Sequence, residues 1–256
     1  MPDPHVATLH YKLIADGGTT RFDNAPAVET ATPGFRARLA DDVLRVDLVD
    51  HHATIEAARG ALEPFLRMWE RSALTADPPL RLRFEFERAD AEDKEAATAY
   101  RTRDVYYSTD VVVVRSMPGY PLPLARFAVS ADVETMCQRY EGHLAGREPL
   151  ASMAYFCLTL VEKYRAHSRD QAAAGFRISR PTLRKLGELT AASVGDRLTA
   201  RKLGPASTLR QLTDAEGAWI GAAVRALIRR VGEYDVDPTT ANTLPPITMA
   251  DLPALP

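Results

Sequence analysis

Five side chains in one short stretch carry the types used for acid–base and anion chemistry. They are Arg139, Glu141, His143, Arg147 and Glu148, within RYEGHLAGREP at 139–149. An imidazole beside a carboxylate can move a proton, and two guanidiniums can hold an anion. Arg139 and His143 are four residues apart and share one helix face; Glu141 does not join them. Arg147 and Glu148 follow across Gly146. A helix end with ordinary capping and surface ion pairs accounts for the same residues, and is the favoured reading.

Other chemical residue types have weaker spacing. Asp47, Asp50, His51 and His52 bunch where a strand meets a helix. Carboxylate and imidazole are metal-ligand types, but adjacent residues at a strand end point to opposite sides, so His51 and His52 do not grip one ion. Cys157 lies between Phe156 and Leu158 on an apolar helix, a poor place for a nucleophile. Gly17-Gly18 lacks the spaced glycines of a phosphate loop. Arg36, Arg38, Arg81 and Arg83 mark a basic strand face, but Asp47, Glu85 and Glu87 interleave with them and make a self-paired, solvated face the simpler reading. No metal and no cofactor is implied.

The segment 170–189, DQAAAGFRISRPTLRKLGEL, has a different kind of pattern. It reads as two short helices around a tight turn. Ala173 is placed as the residue where the helices cross, with Phe176 and Ile178 beneath the turn. Ser179 is placed as the cap of the second helix, and Leu183 and Leu186 as its inward positions. Pro181 fits the first turn of that helix, where its missing donor costs nothing. Arg180, Thr182, Arg184 and Lys185 are then expected to point outward, and these types contact phosphates and base edges. Over about one helix pair the segment resembles the general helix-turn-helix pattern, which implies nucleic-acid binding through Arg177, Arg180, Thr182, Arg184 and Lys185. One position departs from it. The turn residue that is usually glycine is Arg177, and a positive backbone angle there is costly for arginine. A helical hairpin packed inside a bundle is the competing reading.

Helical ribonucleases of the HEPN kind carry Arg, four to six residues, then His. Arg139 to His143 leaves three residues between and Arg165 to His167 leaves one. Arg45 to His51 has a fitting gap but sits on a predicted strand, so that resemblance fails at its motif.

Charge agrees with a polyanion-facing segment. Net charge is only -2, yet residues 161–232 hold 14 Lys and Arg against 6 Asp and Glu, while the last 24 residues hold four acids and no Lys or Arg. Such asymmetry marks a surface for nucleic acid, or a set of long helices with solvated arginines. Composition is that of a soluble globular chain, 46% hydrophobic and 26% charged, and 256 residues suffice for one large or two small domains. Two cysteines exclude a disulfide framework. The N-terminus lacks a signal-peptide pattern and the most apolar run, 150–161, is too short to cross a bilayer, so a cytoplasmic protein without a membrane partner is expected.

These residues need elements to position them. Period-two alternation predicts a strand over His5–Ile14 with Ala7, Leu9, Tyr11 and Leu13 on one face. A hairpin of Phe35–Leu39 and Leu44–Leu48 turns at Asp41-Asp42, and a strand follows at 80–86. Residues 89–103 read as a loop or short helix and Val105–Val114 as a buried strand. A helix over 53–75 carries Pro64, which should kink or split it. Beyond the proline-rich boundary 117–125 the period becomes helical: 131–144, then 149–167 as the central apolar helix, then a helix opened by a capping box at Thr213-Asp214-Ala215-Glu216.

The expected architecture is α+β: a mainly antiparallel sheet domain with one long helix over 1–120, a helical bundle over 126–232, and an acidic proline-rich tail over 233–256. The expected function is a nucleic-acid-binding or regulatory protein, with DNA or RNA and a second copy of the chain as partners. The alternatives are an enzyme using the 139–148 group in a cleft between the two parts, and an interaction protein without catalysis.

Overall fold

Strand β1 (His5–Ala15) turns Leu9, Tyr11, Leu13 and Ala15 to one side, where all four are buried. In the computed structural model, which describes residues 5–92, 115–192 and 211–255, this strand is the centre of an N-terminal sheet. β5 (Val43–Leu48) pairs with it antiparallel on one side and β6 (Leu82–Glu92) antiparallel on the other. β4 (Phe35–Ala40) and β3 (Val28–Ala31) extend the sheet beyond β5, both antiparallel. Short β2 (Thr20–Arg21) meets the end of β1 and runs parallel to β7 (Arg115–Ser116).

The β4–β5 hairpin turns on Asp41 and Asp42, with φ of 51° and 57°. Both positive angles belong to a two-residue turn whose twist matches the strands, and aspartate tolerates them better than most residues. The Tyr120 hydroxyl accepts the Asp42 amide at 2.9 Å and fixes the turn.

Two expectations for this sheet change. The register of β1 against β6 shifts between Val6 and Thr8, so Ala7 falls at an irregularity and is only half-buried. Residues 89–92 continue β6, because the open edge of β1 at His5–Leu9 offers their backbone a ladder of partners. The rest of 89–103, and the strand expected at 105–114, lie outside the described residues.

Helix α1 (Ile55–Leu74) lays Ala58, Leu62, Leu66, Trp69 and Ala73 on the apolar side of the sheet. Trp69 stacks with Phe65 and Phe84, and its indole N–H donates to the Pro121 carbonyl at 2.8 Å. Pro64 lies on the exposed side and does not split the helix.

Glu70 of α1 accepts the Phe84 amide at 2.9 Å from a half-buried position. Burial pushes its carboxyl above the ordinary value, against the opposing pull of that amide. A raised folded value means that the carboxyl's stabilising contribution is complete below the unfolded pKa and is lost as pH rises through the folded one. Glu70→Gln keeps an acceptor and removes the charge. The variant is expected to gain stability relative to the native chain as pH rises from about 4 to 7, read as the difference between paired urea midpoints. A constant difference would show that the buried charge carries no cost.

The chain divides into two compact units, 1–74 with 78–124, and 75–77 with 125–256. The second unit is helical. α2 (Ala131–Leu144) is capped by Ser130, whose hydroxyl accepts the Val133 amide. α3 (Leu150–Thr159) runs on as a π-helical turn over Leu160–Arg165. α4 (Arg169–Gly175), α5 (Arg180–Ala192) and α6 (Asp214–Val236) follow, and the expected capping box of Thr213 and Glu216 opens α6.

α3 packs against α2, α5 and α6. Its Met153 and Cys157, and Val161 of the π-helical turn, join Met136, Leu183, Leu186, Trp219 and Val224 in the core. The chain after α6 does not hang free. It passes through a 3-10 turn at Pro238–Thr243, an extended stretch and a second 3-10 turn at Met249–Asp251, and it buries Leu252.

Candidate nucleic-acid interface

α4 begins at Ser168, whose hydroxyl accepts the Gln171 amide. Its fully buried residue is Ala172, whereas Ala173, expected at the crossing, is half-buried. One position is a 100° rotation on a helix, so the start at Arg169 decides which alanine meets α5.

The turn between α4 and α5 buries Phe176 and Ile178, and Phe176 stacks on Tyr234 at 4.8 Å. Arg177 between them has φ of 52°. Ser179 caps α5 by accepting the Thr182 amide at 3.3 Å. The same hydroxyl shares a hydrogen bond with the Thr182 hydroxyl at 2.8 Å. That bond holds Thr182 inward, and the residue is 3% exposed. The expectation that Thr182 faces a groove is therefore corrected: its hydroxyl belongs to the cap, and its position falls on the buried stripe with Leu183, Leu186 and Leu189.

The outer side of α5 carries Arg180 and Arg184, one turn apart, each with a side chain 69% exposed. Arg180 pairs with Asp170 at 2.9 Å and Arg184 with Glu188 at 3.5 Å. These acids are also open to solvent, 68% and 57% exposed, so the pairs are weak and exchangeable. Lys185 and Arg177 are half-buried.

The unfavourable angle at Arg177 is held by a residue absent from every sequence motif. Arg230 of α6 is 4% exposed. Its Nη1 donates to the carbonyls of Phe176 at 2.9 Å and Arg177 at 3.2 Å, its Nη2 to Pro245 at 2.8 Å, and its Nε to Glu233 at 3.0 Å. The extended stretch of the tail completes the turn. The Ser179 amide donates to Ile247 at 2.7 Å and the Ile247 amide to Arg177 at 2.8 Å, forming a parallel bridge at Ile178. A non-glycine residue in the left-handed region costs about 1–2 kcal/mol, which this set of hydrogen bonds, about 1 kcal/mol each, offsets. The signal in the sequence was an arginine inside the apolar stripe of α6, beside Leu227 and Val231.

Among the described residues, several arginines of 161–232 are paired inside the unit. Arg165 binds Asp132 and Asp235, and Arg169 binds Glu162. Arg225 donates to Asp77 at 3.0 Å and to the Tyr140 hydroxyl at 3.1 Å. Arg197, Arg201, Lys202 and Arg210 lie outside the described residues.

The 139–148 group forms a corner between α2 and α3. The Arg139 guanidinium takes both oxygens of Glu148 and lies over the Phe156 ring, 4.3 Å from its centre. His143 Nδ1 meets the backbone carbonyl of Glu148 at 3.2 Å. Arg139, His143 and Glu148 are thus brought together, but the carboxylate is held by arginine and the imidazole by a peptide carbonyl. Arg147 is exposed and Glu141 half-buried. This arrangement joins two helices.

Elsewhere, Asp47 accepts from Thr8 at 3.0 Å and Arg45 at 2.9 Å, while the His51 ring lies against His5. Across four strands, Arg38, Arg45, His10 and Arg88 stand in one row by register. Glu29 pairs with Arg38, Asp47 with Arg45 and Asp90 with His10. Burial pushes the Cys157 thiol up to about 12, far from a reactive thiolate. Among the described residues no group of three or more His, Cys, Asp or Glu is placed to hold a metal ion, and no helix is long and apolar enough to cross a membrane. No protein-family model, no characterised protein and no solved structure matches the chain.

Proposed function

We propose that the α4–α5 pair binds the phosphate backbone of duplex nucleic acid through the outer side of α5. One observation carries this reading: Arg180 and Arg184 project together, 69% exposed and one turn apart, from a helix whose opposite side is wholly buried. Lys185 and Arg177 flank them. Thr182 is removed from the contact set by its role in the cap. Phosphate oxygens replace Asp170 and Glu188 as partners at little cost, because exposed ion pairs contribute under about 1 kcal/mol.

The test is a titration of random-sequence duplex DNA against the full chain at several salt concentrations. Binding is expected at low salt and should weaken steeply as salt rises, since cations on the protein release counterions from the duplex. Arg180→Gln with Arg184→Gln should flatten the logarithmic salt slope by about 2. No binding at low salt, or a slope unchanged in the double variant, would overturn the proposal, as would a preference for single-stranded RNA that survives both substitutions.

A further inference from the structure

Two groups suited to phosphate at the head of α5 are already occupied, and both by the same segment. The Arg177 guanidinium donates through Nε to the Leu244 carbonyl at 3.4 Å. The Ser179 amide, at the cap of α5, donates to the Ile247 carbonyl at 2.7 Å. Carbonyl oxygens of the tail therefore stand where phosphate oxygens would accept.

Ile247 lines a crevice between α5 and α6 together with Ile178, Thr182, Leu183, Leu186 and Leu227. The segment is held by two backbone hydrogen bonds at Ile247, the Arg177 bond to Leu244, the Arg230 bond to Pro245 and the burial of Leu252. Pro245 and Pro246 have no amide to add a further rung.

We infer that residues 244–252 are a latch that competes in cis with phosphate for Arg177 and the Ser179 amide. This rests on the nucleic-acid reading of α5 and adds its regulation. Closed, the latch leaves Arg180, Arg184 and Lys185 to bind alone. Open, it frees two further donors. Phosphate binding and latch closure exclude each other at these donors, so the affinity of the chain depends on the fraction open.

The experiment locks the latch in the full chain. Ile178→Cys with Ile247→Cys places two thiols across the parallel bridge, at a backbone separation of about 5 Å that a disulfide spans. Cys137 and Cys157 are buried and do not interfere. Fluorescence anisotropy with one labelled random duplex compares the oxidised and reduced double variant at low salt. The oxidised form is expected to bind about tenfold more weakly than the reduced form, with full recovery on adding reductant and no change in the native chain.

Ile247→Ser opens the latch without oxidation and should bind more tightly than the native chain. Equal affinity in the oxidised and reduced forms, or tighter binding when oxidised, overturns the latch. Hydrogen exchange of the native chain tests it without nucleic acid. The Ser179 and Ile247 amides should exchange about a hundredfold faster than those of Leu186 and Val224, through local opening of the tail. Matching rates mean that the tail opens only with the core, and sink the latch. Absence of duplex binding in every form sinks the nucleic-acid reading, while the exchange rates still decide whether the tail opens by itself.

Discussion

Arg230→Met should lower the unfolding free energy of the helical unit by about 3 kcal/mol. Methionine keeps much of the unbranched shaft but none of the donors. Three carbonyls, from Phe176, Arg177 and Pro245, lose their shared partner; the Phe176 bond is buried, the Pro245 bond part-buried, and Arg177 keeps the Ile247 amide at 2.8 Å. A stranded buried acceptor costs about 1–3 kcal/mol, reduced where water can reach it. Glu233 is not left alone, since Arg229 also reaches it at 2.9 Å, so the loss falls mainly on the turn. Arg177 would then have to hold its positive φ without that support. Arg230→Lys should be intermediate, because a single ammonium cannot fork across two chain segments. Urea unfolding followed by circular dichroism reads both variants. A midpoint for Arg230→Met within error of the native chain would show that water replaces the guanidinium without cost.

The second large effect runs against helix propensity. Gly232 lies in α6, and Gly→Ala inside a helix ordinarily stabilises by about 1 kcal/mol. Here a Cβ would stand 2.3–2.9 Å from three ring atoms of Phe127. That ring is buried, and the Ala128 amide donates to the Gly232 carbonyl at 2.9 Å, so neither side can withdraw freely. Overpacking of this kind costs about 1–3 kcal/mol or more. Gly232→Ala is therefore expected to lower the melting temperature by several degrees. The sign should reverse in a smaller pocket. With Phe127→Leu as background, the same Gly232→Ala should be neutral or stabilising, and a thermodynamic cycle of the four chains reads the coupling. An additive cycle would show that ring and helix are not in conflict.

Legibility differed between fold and site for a physical reason that particular residues make plain. The inward sides of β1, α1 and α6 follow from the spacing of Leu9, Tyr11 and Leu13, of Ala58, Leu62 and Trp69, and of Ile220, Val224 and Leu227. The cap at Ser179, the box at Thr213 and Glu216, and the strained turn at Arg177 were equally readable, because each involves neighbours within a few positions. Thr182 was assigned outward on residue type, and its cap bond to Ser179 overruled that assignment. The 139–148 group was correctly placed at a helix end, yet only the fold assigns its carboxylate to Arg139.

The amino-acid sequence by itself determined which side most elements hide and where most elements start. Those choices are local: the periods of helix and strand and the needs of free amides act over a turn or two. Tertiary structure alone decided where the charges go. Arg230 meets Phe176 across 54 positions, Arg177 meets Leu244 across 67, and Arg165 meets Asp235 across 70. An arginine at the surface and one that staples two segments look alike in a chain, because the difference lies in which distant carbonyls and carboxylates the packed helices bring within reach.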